Sequence, residues 1–123
     1  NHGKKLFSSE FYSYCKKRLY KNGIFVAQNG IFFLQKQETL FTYKKLKKYF
    51  NIAKFYHSSI PTYYGGPMMF AWGTDNIKIN QINLNVLNQR IKDTKINFFH
   101  YNAGIHISSF YLPQYILNAL SQS

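Results

Sequence analysis

Two neutral polar side chains, Gln28 and Tyr63, make the best case for chemistry in this sequence. Gln28 closes the apolar run Ile24 to Gln28, "IFVAQ", just before an Asn29-Gly30 turn signal. Tyr63 stands in "IPTYYGG", after Pro61-Thr62 and before Gly65-Gly66. Both fall where a strand is expected to end, and in open α/β sheets ligands bind in the crevice beyond the strand ends. An amide and a phenol can orient an amine there, but neither could readily deprotonate one. On spacing alone two plainer readings stay open: a Gln that satisfies loop backbone groups, and a Tyr ring that plugs the sheet end.

The other reactive residues form no pattern. The acids Glu10, Glu38, Asp75 and Asp93 match no paired-carboxylate or metal spacing. Glu10 and Glu38 suit first turns of helices, where a carboxylate favours the dipole. His2, His57, His100 and His106 give neither HxxxH nor HExxH. No GxSxG, GxGxxG or GxxxxGK[ST] occurs, and Gly65-Gly66 alone is too little for a phosphate loop. No metal and no cofactor is expected. The single Cys15 excludes an internal disulfide and a cysteine-based zinc site. It occupies an apolar helical position, so a buried structural thiol is expected.

The net charge of +12 suggests nucleic acid or an anionic membrane. Its make-up argues otherwise: 14 Lys and 2 Arg stand beside 12 Asn and 12 Ile. Lys, Asn, Ile, Tyr and Phe all have AT-rich codons, so a biased genome gives this composition without a nucleic-acid partner. Arg, the preferred reader of phosphate and guanine, is scarce. The lysines are expected on solvated helix surfaces. Apolar runs fall well short of the ~18 residues of a membrane span, and "NHGKKLFSSEF" has no apolar signal core. A cytoplasmic protein with no membrane partner is expected.

The positioning elements follow from periodicity. A chain of 123 residues, 46% hydrophobic, is one domain or a piece of one, with enough apolar mass for a core. Ser8 or Ser9 caps a first helix, with Phe11, Tyr12, Cys15 and Leu19 on one face and Asn22-Gly23 as its stop. Ile24 to Gln28 reads as a buried parallel strand ended by Asn29-Gly30. Residues 36–50 read as a second helix, with Leu40, Tyr43, Leu46, Tyr49 and Phe50 inward. "AKFYHSSIPT" and "PMMFAWGT" read as an antiparallel strand pair. Residues 84–93 form a short helix, and Pro113 starts the last one, with Leu112, Ile116, Ala119 and Leu120 on one face. The fold is α/β, with parallel pairing early and a terminal antiparallel hairpin. A helix precedes the first strand, which leaves a sheet edge missing and suggests a fragment.

"GIFVAQNGIFFLQKQE", "IPTYYGGPMMFAWGTDN" and "YNAGIHISSFYLPQYILNAL" together resemble the C-terminal half of bacterial spermidine synthases, the polyamine aminopropyltransferases. The resemblance runs from "LFSSEFY" to the end, and the composition is like that of an insect-endosymbiont copy. It implies the C-terminal half of a Rossmann-like, methyltransferase-type sheet. Residues 1–123 would then be the C-terminal part of the catalytic domain, without the N-terminal β-domain and the nucleoside-binding half. It implies aminopropyl transfer from decarboxylated S-adenosylmethionine, a substrate rather than a cofactor, to putrescine, giving spermidine and methylthioadenosine. Gln28 and Tyr63 would contact the amine, and Leu6 would line the adenine. The family's glycine-rich loop, ribose-binding acid and catalytic Asp would precede Leu6, so no catalytic residue is assigned here. His2 stands in place of a family Pro, and Ala103 in place of another after "YN". The resemblance also implies a homodimer and an N-terminal half as partner. A non-catalytic remnant that associates through its sheet edge and a basic binding module are the alternatives.

Overall fold

The computed structural model describes residue 6 and residues 8–123, so His2 lies outside the described residues. Helix α1 spans Ser9–Arg18, and the Ser8 side chain caps it by accepting from the Phe11 amide at 3.1 Å. The helix stops at Leu19, earlier than Asn22-Gly23, and Asn22 takes a left-handed turn at φ 70°. Strand β1 covers Ile24–Ile31, α2 Phe32–Tyr49, β2 Ile52–Ser58 and β3 Met68–Thr74. Helices α3, Leu84–Thr94, α4, Ala103–Ser108, and α5, Gln114–Ser121, follow. Pro113 caps α5, as its fixed φ predicts. The short α4 and a 3-10 turn at Ile77–Gln81 are additions to the elements expected from sequence.

The sheet order is β1-β3-β2. The expected hairpin is present: β2 pairs antiparallel with β3 from Ile52 opposite Thr74 to Ser58 opposite Met68. The expected early parallel pairing is not. Strand β1 also pairs antiparallel with β3, from Ile24 opposite Thr74 to Ile31 opposite Met68. β1 and β2 run in the same direction, but β3 lies between them and takes the hydrogen bonds of both. "MMFAWGT" supports this central place, because a strand covered on both faces needs no polar alternation.

The core lies on the face of the sheet under α1, α2 and α5. Tyr12, Phe32, Leu46, Phe50, Phe55, Met69, Ala71, Ile116 and Ala119 form it. Phe25 of β1 sits edge-on to Tyr12 at 5.4 Å and stacks on Phe50 at 6.1 Å. Such pairs contribute about 0.5–1.5 kcal/mol each beyond buried area. Burial pushes the Tyr12 phenol up, with a Thr42 hydrogen bond pulling against it. Cys15 is half-buried rather than fully buried, and its thiol is also pushed up by burial.

Gly73 exists for close packing. A Cβ there would lie 2.6 Å from Cδ2 of Phe50. Gly73→Ala is therefore expected to lower stability by about 1–3 kcal/mol through overpacking, measured by urea unfolding of both chains.

Candidate functional site

Gln28 and the Tyr63 loop lie toward the same end of the sheet. Ile31 of β1 and Ser58 of β2 both lie opposite Met68, so the ends of β1 and β2 share this rim with the 59–67 loop. Gln28 is exposed, opposite Phe70. Tyr63 is half-exposed, on a turn closed by its amide donating to the Ile60 carbonyl at 3.0 Å. Gly65 and Gly66 take φ of 97° and 126°, which lets the loop double back without Cβ strain. Added Cβ atoms would lie 3.1 Å from Leu34 Cδ1 and 3.7 Å from Ile31 Cγ2, so the loop rests on the β1–α2 junction. Leu6 is exposed, and none of its described contacts joins it to this rim.

Strand β1 does not end at Asn29-Gly30. It passes through a bulge, because the ladder skips Asn29 between Gln28 and Gly30. Asn29 turns inward, where its Nδ2 donates to Thr39 Oγ1 at 3.2 Å and its Oδ1 is buried without a hydrogen-bond partner. Helix α2 starts at Phe32 rather than residue 36 and carries a non-helical residue, Gln35. Gln35 Oε1 accepts from the Ile31 amide at 3.2 Å, and its Nε2 donates to Glu38 Oε2 at 2.9 Å. Glu38 is thus beyond the first turn of α2. Gln35 escaped the sequence reading; its only signal is a polar residue in the apolar run that follows Asn29-Gly30.

Each of the four carboxylates is engaged. Glu10 accepts from the Tyr14 hydroxyl at 3.1 Å, and Asp93 from Gln89 at 2.8 Å. Asp75 pairs with Lys16 and accepts from the Asn51 amide at 3.1 Å. It follows Thr74 at the opposite end of the sheet, about 20 Å from the rim at the usual strand rise. Among the described residues, no three His, Cys, Asp or Glu side chains cluster. Among the described residues, no carboxylate is placed at the rim beside Gln28 and Tyr63.

The sheet face opposite the core is only partly covered. An open groove of about 540 Å³ is lined by Ile24, Val26, Lys54, Trp72 and residues of α4 and the 3-10 turn. Trp72 packs edge-on to Phe110 at 5.9 Å, and Tyr56 stacks on Phe70 at 5.0 Å. His57 donates to the Tyr111 carbonyl at 3.1 Å, tying β2 to the segment before α5. His106 shares a hydrogen bond with the Tyr101 hydroxyl at 3.0 Å, and burial lowers its pKa.

The class of protein follows from these features and from solved structures. Spermidine synthase from Thermotoga maritima superposes with a TM-score of 0.82 at 24% identity, covering 96% of this chain and 40% of that one. A spermidine synthase in complex with the transition-state analogue AdoDATO gives 0.83 at 24% identity, with the same coverage. The fold is thus α/β of the Rossmann-like type. The chain belongs to the spermine/spermidine synthase family, whose domain model matches residues 1–86. The polyamine aminopropyltransferase of Buchnera aphidicola subsp. Acyrthosiphon pisum is 64% identical over 121 residues, and that of Erwinia tasmaniensis 49% over 119. The matches cover 98% and 97% of this chain and 42% of each relative, so the chain spans less than half their length. Among the described residues, no helix is long and apolar enough to cross a membrane.

The lowered pKa of His106 has a direction in pH. Between the folded pKa and the ordinary value near 6.5, the unfolded chain holds more protons than the folded one. The neutral ring therefore stabilises the fold above about pH 6.5, and that contribution is lost as pH falls through the folded pKa. Thermal melts from pH 7 to pH 5 are expected to show a loss that is smaller in His106→Gln.

Proposed function

We propose that this chain is the C-terminal part of a spermidine synthase and supplies the acceptor wall of its active site. The reaction is aminopropyl transfer from decarboxylated S-adenosylmethionine to putrescine, giving spermidine and methylthioadenosine. The observation that carries the reading is the 64% identity to a polyamine aminopropyltransferase across 98% of the chain. The donor enters as a substrate, and no resident cofactor is invoked.

The chemistry divides the labour. A primary amine of putrescine attacks the propyl carbon bonded to the sulfonium sulfur. The new C–N bond forms as the C–S bond breaks, and methylthioadenosine leaves as a neutral thioether. The attacking nitrogen must shed a proton, which requires a carboxylate or similar base. In this reading the Gln28 amide oxygen and the Tyr63 hydroxyl accept from the amine and aim its lone pair. The base, the ribose-binding acid and the glycine-rich loop come from an N-terminal portion of the enzyme, which Leu6 would approach on the adenine side. Positioning across both walls then supplies much of the rate.

Two features support such a partner. The outer edge of β1 carries no pairing among the described strands, and Ile24 and Val26 beside it are 47% and 49% exposed. A net charge of +12 disfavours a cationic substrate until an acidic partner offsets it. A homodimer of the complete enzyme, cytoplasmic and without a nucleic-acid partner, completes the reading.

The test is an assay for methylthioadenosine with donor and putrescine, using the chain alone and with the N-terminal portion of the Buchnera aphidicola relative. Product only in the combined sample supports a shared site. Absence from both samples overturns it in favour of a non-catalytic remnant. In the active combination Tyr63→Phe is expected to raise the putrescine KM about tenfold, as loss of one hydrogen bond to a charged group does, with the donor KM unchanged.

A further inference from the structure

The bulge behind Gln28 is built from side chains of α2. Without the bulge, Asn29 rather than Gly30 would stand opposite Met69, and every later side chain would turn to the other face of the sheet. Asn29 is drawn inward to Thr39, and Gly30 takes φ 92°. The Ile31 amide, the next group along, donates to Gln35 Oε1 at 3.2 Å. Gln35 departs from helical backbone, with φ −127° and ψ 38°, inside an otherwise continuous α2. Its Nε2 is fixed by Glu38, and its carbonyl accepts from Thr39 Oγ1 at 3.4 Å, the hydroxyl that also holds Asn29. The space a Gly30 Cβ would fill is taken by the Gln35 amide, so these two residues specify each other. The neighbouring Leu34 is the side chain against which Gly65 rests, at the base of the loop carrying Tyr63.

We propose that Gln35 is a positioning residue for the acceptor wall. Its amide holds the bulge that aims Gln28, and the break in helical backbone at Gln35 seats Leu34 under the Tyr63 loop. The inference rests on the rim being the acceptor site. It adds a residue that touches neither substrate and acts through two that do.

The test compares Gln35→Leu, which removes acceptor and donor, with the double variant Gln35→Glu, Glu38→Gln, which keeps an oxygen for the Ile31 amide and moves the donor to position 38. In the isotope-labelled chain, Gln35→Leu is expected to speed hydrogen exchange of the Ile31 amide about tenfold, the loss of one hydrogen bond. It should also shift the Gln28 side-chain amide resonances, while the double variant stays near wild type. Gln35→Asn, which only retracts the amide, serves if Gln35→Leu fails to fold and should give the same shifts. In the combined transfer assay Gln35→Leu should raise the putrescine KM about tenfold, with kcat and donor KM unchanged and the double variant recovering most of the loss. Unchanged Ile31 exchange and Gln28 resonances overturn the proposal whatever the assay shows. Shifted resonances with an unchanged putrescine KM overturn its link to the acceptor. If the wild-type combination makes no product, the acceptor reading fails, and the resonances alone still decide whether Gln35 sets the placement of Gln28.

Discussion

The whole arrangement depends on one strand. Every ladder hydrogen bond in the sheet has Met68–Thr74 as a partner, because β1 and β2 both pair with β3 and not with each other. One end of this strand is tied down by polar side-chain contacts. Thr74 is fully buried, and its hydroxyl donates to the Gly23 carbonyl at 2.8 Å while accepting from the Asn76 amide at 3.1 Å. At the other end Met68 faces Ile31 and Ser58 together, which brings the rim into one place.

Much of this was legible in the sequence, and what was not has physical causes. Element positions followed from apolar periodicity, since Tyr12, Leu46, Phe55 and Ile116 are all core residues. Pairing order did not follow, because strand content says which residues are buried and not which neighbour is beside them. "IFVAQ" suits a buried parallel strand and an antiparallel flank equally well. Asn29-Gly30 misled for a sharper reason. The dipeptide is a strong turn signal, but here the Gly conformation serves a bulge and the Asn is held by Thr39, ten residues away in sequence. A window of local residues cannot contain that partner. The same holds for Gln35, whose departure from helix makes sense only once Ile31 and Gly30 are seen beside it. Gln28 and Tyr63 were singled out on local marks of a strand end and a turn; the turn at Tyr63 is present, while β1 runs on past Gln28 to Ile31.

The lysines show how a composition set by codon bias is absorbed. Lys16 lies over the Phe50 ring at 4.7 Å, and Lys47 over Tyr43 at 4.3 Å. Lys17 and Lys48 approach Tyr14 and Tyr49 in the same way, at 5.9 and 5.6 Å. A surface rich in both Lys and Tyr can lay cations on aromatic faces, each worth about 0.5–1 kcal/mol where exposed. Four acids could not pair with 16 bases. Rings take up part of the role that carboxylates fill on a more balanced surface. Asp75 is spent on joining α1 to the α2–β2 turn through Lys16 and Asn51.

The strand order also sets a schedule. During synthesis β1 is made first, then α2 and β2, and both outer strands must wait for the central one. Until residue 74 has left the ribosome, neither can complete its ladder with β3. The hairpin of β2 and β3 needs only the 59–67 loop to close, while β1 must reach across all of α2 and β2. Closure entropy favours the shorter loop. The strand that carries Gln28 is thus the last of the three to join β3, and the rim is completed late in folding rather than at its start.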